Sequence, residues 1–270
     1  EKHDYAIVAP AIASQFAYAR LGQVVTGIKQ LGFYEVVEAA LGADMVAYAE
    51  AKELAEKGFL TSSCCPAFVS YVHKQFPMLS ENVSHNMSPM ATIAKFIKGM
   101  DNEAKTIFIG PCTAKKGEAQ LPGVREYVDC VMTFEELQAM LDSRDIELTE
   151  LEETDLNNAS GFGRSFARCG GLAEAAVEAL KEQGIDFEVK PVSCSGIEEC
   201  RLALLKASKG RAEGNFIEGM ACIGGCINGA GCLTHGERNK NKIDAHSRQA
   251  KDKTIVESLH GAETGLEEAR

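Results

Sequence analysis

Residues 215–226 read NFIEGMACIGGC, and the plan of this segment recurs at two other places in the chain. An apolar, strand-like run leads directly into two cysteines that are separated by three residues, two of which are glycines. The other two segments are FLTSSCCP at 59–66 and TIFIGPCTAKK at 106–116. In all three, cysteines follow the carboxyl end of a predicted strand, where open α/β sheets place their functional sites. The three segments therefore predict an α/β fold with one site built from loops at strand ends.

Short β-rich apolar runs alternate with helical patterns along the chain, which predicts mostly parallel sheets flanked by helices. The predicted strands are residues 5–9, 33–37, 106–110, 127–132, 187–192 and 215–218. The predicted helices are residues 40–57, 67–75, 90–98, 134–141, 172–183, 198–206 and 250–259. We expect one domain over residues 1–270, with a polar lobe boundary at about 143–158. Residues 239–252 are highly charged and predict an exposed connection into a C-terminal helix within 239–270.

Composition excludes several functional classes before any motif is considered. The chain has 270 residues, of which 45% are hydrophobic and 25% charged, as is ordinary for a globular protein. Its net charge of -11 argues against nucleic acid and against an anionic membrane surface as partners. No secretory signal and no run of about 18 apolar residues is visible, so we expect a cytoplasmic protein. In that compartment ten cysteines indicate metal or redox chemistry more than disulfides.

The spacing of the cysteines indicates which kind of metal site they form. Four thiolates suit either zinc or an iron–sulfur cluster. Structural zinc sites usually bring their ligands in C-x2-C pairs, whereas Cys65 and Cys112 arrive singly and Cys222 and Cys226 form C-x3-C. This pattern favours an iron–sulfur cluster, with a zinc site and buried, unligated thiols as the alternatives.

Three long motifs in this order resemble the signature loops of the FeFe (iron-only) hydrogenases. They are TSSCCP at 61–66, PCTAKK at 111–116 and EGMACIGGCINGAG at 218–231, and VAPA at 8–11 resembles the start of that catalytic domain. The resemblance implies a two-lobed α/β domain with the H-cluster between the lobes. That cofactor is a 4Fe-4S cubane joined through one cysteine to a two-iron unit, which carries carbon monoxide, cyanide and a bridging azadithiolate.

The resemblance also implies roles for individual residues. The implied cubane ligands are Cys65, Cys112, Cys222 and Cys226, with Cys226 as the bridge to the two-iron unit. Lys115 corresponds to a lysine that donates a hydrogen bond to a cyanide, and charged donors are what a buried anion requires. The implied contacts of the cofactor are Met220, Gly110, Ser88, Pro111 and Ala221.

The activity implied is the reversible reduction of protons to H2. Cys64 corresponds to the thiol that passes protons between the two-iron unit and the protein, and Glu50, Ser84 and Glu53 align with the relay to solvent. Glu50 and Glu53 are three residues apart on a predicted helix and so share a face. The alternative is that both are solvated surface carboxylates, and that Ser84 and Ser88 are turn or capping residues.

Departures from the family pattern resemble its divergent, sensory branches. Gly110 stands where catalytic members commonly have methionine and predicts a gap beside the two-iron unit, and residues 229–233 replace the usual GGGQP. We therefore expect slow turnover, and a second hypothesis is an H2 sensor with a signalling partner. A third is a non-catalytic assembly relative with only the cubane, which the presence of Cys64 and Lys115 disfavours.

The sequence also indicates which partners the proposed cofactor would need. No C-x2-C-x2-C-x3-C-P cassette is present, so electrons must come from a ferredoxin-like domain or partner, and the two-iron unit requires maturation proteins.

Cys130 is predicted to be a core residue, since free cysteine behaves as a small hydrophobe. The other thiols outside the ligand set are Cys169, Cys194, Cys200 and Cys232, and we expect core or loop positions for the first three, while Cys232 lies six residues after a ligand.

Overall fold

The structure of the protein, a computed structural model, describes residues 3–267, with side chains as far as residue 262. Residues 1–2 and 268–270, which the expected domain includes, lie outside the described residues. No helix among the described residues is long and apolar enough to cross a membrane.

Within residues 3–267, seven strands form two parallel sheets. The strands are β1 (Asp4–Val8), β2 (Glu35–Glu38), β3 (Leu60–Thr61), β4 (Lys105–Gly110), β5 (Cys130–Thr133), β6 (Pro191–Ser195) and β7 (Phe216–Met220). The first sheet has the order β2-β1-β4-β5 and the second the order β3-β7-β6. All neighbouring strands are parallel. Strands buried on both faces need near-continuous apolar sequence, as in DYAIV of β1 and FIEGM of β7.

Helices cover the sheets, which confirms the predicted α/β class. They are α1 (Leu21–Gln30), α2 (Ala39–Lys57), α3 (Pro66–Gln75), α4 (Pro89–Met100), α5 (Ala114–Glu118), α6 (Phe134–Asp142), α7 (Gly161–Ser165), α8 (Gly171–Glu182), α9 (Ile197–Ser208), α10 (Arg238–Arg248) and α11 (Ile255–Glu267). Short 3-10 helices lie at Pro10–Ser14, Pro77–Asn82, Leu148–Glu150 and Cys226–Asn228.

Helix α2 contributes to two apolar cores at once. Its first turn packs into the core around the four-stranded sheet, and Ala43, Ala47, Ala51 and Leu54 pack into the core beside β7 and α8. Small residues permit this close packing: a Cβ at Gly42 would lie 2.3 Å from the Pro89 carbonyl oxygen of α4. The helix therefore lies largely in the interior of the molecule, and Glu50 near its middle is buried although Tyr48 and Ala49 are exposed.

One sequence prediction fails and one helix was not predicted, because local charge or composition hides the packing pattern. Residues 239–252 are not a wholly exposed connection, since 238–248 form α10 with Asn239, Ile243 and His246 buried at helical spacing. Helix α1 was not predicted, because its two glycines and β-branched residues lower helix propensity. Its apolar face, Val24, Val25 and Ile28, is buried nonetheless.

Two edge strands also differ from expectation. Strand β6 begins at Pro191, four residues later than predicted, and proline is tolerated at the first position of an edge strand. Cys130 is exposed, so its predicted core position is wrong. It lies on edge strand β5, whose alternation turns Val131 and Thr133 inward and Cys130 outward.

Candidate iron–sulfur centre and proton path

The four predicted ligands line one cavity of about 130 Å³. Cys65 immediately precedes α3, Cys112 follows β4, and Cys222 and Cys226 follow β7. The thiols therefore come from loops at the carboxyl ends of strands in both sheets, as the repeated motif predicted. Among the described residues, no group of three or more His, Cys, Asp or Glu side chains could hold a single metal ion. The four thiols line a common cavity, which a polynuclear cluster could occupy.

Glycines give the loop between Cys222 and Cys226 its shape. Gly224 and Gly225 have φ of 81° and 101°, a region that side chains other than glycine rarely adopt. A Cβ at Gly225 would lie 2.7 Å from the Cys169 backbone nitrogen, so the loop also packs too closely for a larger residue.

A second, nearly apolar cavity of about 80 Å³ adjoins the first. Cys65, Cys112, Cys226 and Met220 line both cavities. The second is lined in addition by Cys64, Lys115, Pro111, Phe108, Phe166, Met90 and Pro89. Cys226, which the resemblance implies as the bridge between the two parts of the H-cluster, is one of the residues that the two cavities share. Its chemical character, apolar walls with one charged amine, suits a buried anion.

Lys115 carries the charge in this cavity. Its Nζ lies 2.7 Å from Glu118 Oε2 and donates to the Cys64 carbonyl oxygen at 3.3 Å. Burial lowers the pKa of Lys115, but attraction to Glu118 outweighs burial and the pKa is raised overall. Sequence reasoning missed Glu118, although the K-x-x-E spacing on a helix puts the two side chains on one face. The ion pair keeps the buried amine protonated.

The expected gap at Gly110 is absent. A Cβ at this position would lie 2.6 and 2.8 Å from two ring carbons of Phe108, so the Phe108 ring occupies the space. Phe108 lines the apolar cavity, whereas Gly110 is not among its lining residues. The prediction was wrong because it considered the missing side chain and not a neighbour two positions earlier on the same strand face.

The other implied cofactor contacts divide into two groups. Pro111 and Met220 line the apolar cavity, and Ala221 lines the thiol cavity. Ser88 lines neither cavity and is the N-cap of α4, where its hydroxyl accepts from the Ala91 amide at 3.5 Å. The capping alternative therefore accounts for Ser88.

Glu50 is fully buried, which excludes the alternative of a solvated carboxylate. Within the described residues, neither of its carboxylate oxygens has a hydrogen-bond partner. Burial raises the pKa of Glu50 to about 8. Burial and then the Glu50 charge also raise the pKa of Cys64. Cys64 and Glu50 therefore influence each other's ionisation, and burial favours the neutral, protonated form of both side chains.

Ser84 and Glu53 continue toward the surface. The Ser84 hydroxyl donates to Glu53 Oε2 at 2.8 Å, and Lys57 Nζ lies 2.8 Å from Glu53 Oε1. Burial raises the pKa of Glu53, but hydrogen bonds from Lys57 and Ser84 outweigh it, so the pKa is lowered overall. The Glu53 side chain is 14% exposed. Ser84 and Glu53 are therefore joined by a hydrogen bond at the solvent end, whereas Glu50 has no hydrogen bond that connects it to Ser84.

The buried carboxyl of Glu50 predicts a pH-dependent stability. Its folded-state pKa of about 8 lies above the ordinary value of 4.5, so the folded chain holds a proton that the unfolded chain releases. Stability should fall as pH rises through this window, by up to about 1.4 kcal/mol per unit. We expect Glu50→Gln to raise the thermal midpoint at about pH 8.5 and to change it little at about pH 5. Equal effects at both pH values would contradict the raised pKa.

Comparison with known proteins places the chain in a family. Residues 2–230 match the family described as the C-terminal domain of the iron-only hydrogenase large subunit. The chain belongs to this family. A solved structure of [FeFe]-hydrogenase HydA1 from Chlamydomonas reinhardtii has the same fold, with a TM-score of 0.77 at 22% identity over 96% of this chain and 88% of that one.

The sequence is similar to those of two kinds of protein. The chain is 29% identical to Iron hydrogenase 1 of Clostridium pasteurianum over 90% of this chain and 52% of that protein. It is 24% identical to the cytosolic Fe-S cluster assembly factor narfl of Xenopus tropicalis over 68% of this chain and 49% of that protein. The chain thus spans about half the length of these relatives. Similarity alone does not distinguish a hydrogenase from an assembly factor.

Proposed function

We propose that this chain binds a 4Fe-4S cluster through Cys65, Cys112, Cys222 and Cys226, binds a two-iron unit beside it, and catalyses the reversible reduction of protons to H2. When bound, the two-iron unit with its carbon monoxide, cyanide and azadithiolate ligands supplies the redox chemistry of hydrogen. The observation that carries the proposal is the buried, ion-paired Lys115 in an apolar cavity that adjoins the thiol cavity.

Lys115 is the feature that favours a hydrogenase over an assembly relative. Burying a lysine destabilises a protein unless it has charged or hydrogen-bonding partners. Glu118 satisfies part of this requirement, and the Cys64 carbonyl accepts only a long hydrogen bond at 3.3 Å. An amine with capacity for another acceptor fits an anionic ligand in the apolar cavity. In a protein that held the cubane alone, this amine would have no anionic ligand in the apolar cavity.

The proton path is the second part of the proposal. Cys64 lines the apolar cavity and would exchange a proton with the bound cofactor. Glu50, with a pKa of about 8, can take up and release a proton near neutral pH, as a general acid and base must. The Ser84 hydroxyl would pass the proton to Glu53, whose carboxylate reaches solvent.

Electrons would enter on the side of the thiol cavity. Ile223 lies between two ligand cysteines and is 76% exposed, and the neighbouring Cys222 is only partly buried. An exposed apolar side chain this close to the cluster suits contact with a ferredoxin-like domain or partner chain. We also propose that maturation proteins supply the two-iron unit. Slow turnover would suit use as an H2 sensor that acts on a signalling partner.

Loading the protein with a two-iron unit tests the function. We expect carbon monoxide and cyanide bands in the infrared spectrum and H2 evolution from a chemical reductant. In Lys115→Asn the cubane absorbance should persist while the infrared bands weaken strongly. The lost charge-assisted hydrogen bond accounts for about 1.5–3 kcal/mol, or roughly 10- to 150-fold in affinity.

Lys116→Asn is the matched control, since Lys116 is the next residue, is exposed and pairs with Glu136 at the surface. It should load and turn over like the unsubstituted protein. Cubane absorbance without infrared bands in the unsubstituted protein would favour the assembly relative. Normal bands in Lys115→Asn would remove Lys115 from the site.

A further inference from the structure

A buried glutamate lies on β7, the strand that leads to residues 222–227, here called the ligand loop because it contains two of the proposed ligands. Glu218 is 0% exposed and is the third residue of β7. Its Oε1 accepts a hydrogen bond from the Gly170 amide at 2.9 Å, and its Oε2 accepts from the Ala173 amide at 3.2 Å. The Ser193 hydroxyl of β6 also donates to Oε2, at 3.0 Å. Neither the proposed ligand set nor the proposed proton path includes this carboxylate.

Two of these donors are backbone amides at the N-terminus of α8. Gly170 is the N-cap of this helix and has no side chain with which to cap it. The Glu218 carboxylate caps the helix from a different element, the strand β7. Negative charge is favourable at a helix N-terminus, and hydrogen bonds to a charged acceptor are stronger than neutral ones. Glu218 therefore fixes the start of α8, and the residues just before it, relative to β7.

The residues just before α8, 167–170, support the ligand loop. The Cys169 amide donates to the Gly224 carbonyl oxygen at 3.1 Å. The Ile227 amide donates to the Ala167 carbonyl oxygen at 3.0 Å. Backbone hydrogen bonds thus join the two segments near both ends of the ligand loop.

We propose that Glu218 is a positioning residue that fixes the ligand loop through residues 167–170. The carboxylate, the start of α8, residues 167–170 and the ligand loop form a closed set of contacts that begins and ends on β7. Groups that hold metal ligands in place are typically worth about 10- to 100-fold in metal affinity. A role toward the cubane rests on the proposed function, whereas the contacts with the loop do not.

Amide hydrogen exchange in the full-length chain as purified tests the loop. In Glu218→Gln the side chain keeps its size, but the nitrogen of the new amide cannot accept a hydrogen bond. Either the Gly170 or the Ala173 amide therefore loses its acceptor. We expect peptides that cover residues 167–170 and 222–227 to exchange roughly 10-fold faster or more, as the loss of one hydrogen bond to a charged acceptor predicts.

Glu182→Gln is the matched control. Glu182, at the other end of α8, accepts from the Ile255 and Val256 amides at the start of α11, at 2.9 and 2.8 Å. The substitution weakens the same kind of interaction, a carboxylate at a helix N-terminus, away from the ligand loop. It should speed exchange at the start of α11 and leave residues 167–170 and 222–227 unchanged.

Measurements on cubane-loaded protein extend the test to the cluster. We expect Glu218→Gln to hold iron about 10- to 100-fold more weakly against a chelator. The electron paramagnetic resonance spectrum of the reduced cubane should also shift, because it reports the geometry of the ligands, which general destabilisation would not change. Glu182→Gln should keep the iron affinity and the spectrum of the unsubstituted protein.

The outcomes separate this role from the proposed function. Unsubstituted protein that takes up no iron would contradict the proposed function, and the exchange measurement would still decide whether Glu218 fixes the loop. Unchanged exchange at residues 222–227 in Glu218→Gln, or equal acceleration there in Glu182→Gln, would overturn the proposal. Faster exchange with unchanged iron affinity and an unchanged spectrum would overturn its extension to the cubane.

Ser193→Ala decides the question if Glu218→Gln does not fold. It removes a neutral donor to the same carboxylate and leaves the charge in place. Faster exchange at residues 167–170 and 222–227 than in Glu182→Gln would support the proposal. Exchange equal to that of the unsubstituted protein would overturn it.

Discussion

Cys112→Ala is expected to lose most of its iron, from about four atoms per chain in a cubane to near zero. Cys112 supplies one of the four thiols around the 130 Å³ cavity, and it is the ligand that comes from the four-stranded sheet. Because ligand binding and folding are coupled, the variant should also unfold at a lower temperature. Iron analysis, the visible absorbance of the cluster and a thermal melt measure the effect, and Cys222→Ala should behave in the same way.

A cysteine outside the site provides the control for this loss. Cys130→Ala removes a thiol from an exposed position on β5 and should retain the full iron content. If Cys112→Ala kept the same iron and absorbance as this control, the ligand assignment would fail. Loss of iron from both variants would indicate general damage to the protein.

Cys64→Ser should lower H2 evolution by at least roughly 100-fold, the effect typical of losing a general acid or base. Serine is similar in size to cysteine but far weaker as an acid. The Phe108 ring fills the space beside Gly110, so the gap that the sequence predicted there as a second route for water is not present. The structure thus removes the main reason to expect a small effect. Turnover and infrared spectra should be compared in fully loaded protein.

Cys232→Ser separates the relay from a general effect of losing a buried thiol. Cys232 is also buried, and its thiol donates to the backbone carbonyl of Ile227 at 3.4 Å, a bond that a serine hydroxyl can replace. We expect this variant to keep its turnover. Fast turnover in Cys64→Ser would exclude the relay. A slow unsubstituted protein with little change in Cys64→Ser would instead favour the sensor.

The candidate site was more predictable than the packing around it. The proposed ligand cysteines and Lys115 lie in the motifs that resemble the FeFe hydrogenases, and the same resemblance suggested Glu50 and Glu53. Glu118 was missed because its role depends on a partner that is visible only once α5 forms. Phe108 was missed for a related reason: whether a glycine leaves a gap depends on which neighbouring ring turns into it.

Charge and surface position also limited the prediction. The sequence of helix α10 resembles an exposed connection because it is rich in charged residues, although three of its side chains, at helical spacing, are buried. Cys130 has the residue type of a core position but lies on an edge strand, and sequence alone does not reveal which strand is at the edge.

Helix α2 packs into two apolar cores and also carries two of the proposed proton carriers. A helix that belongs to two cores cannot shift relative to one of them without straining its contacts with the other. Glu50 and Glu53 lie on this helix, so its contacts with both cores fix the position of the two carboxylates. The geometry of these two proposed proton carriers thus depends on packing in both cores, remote from the cysteine loops.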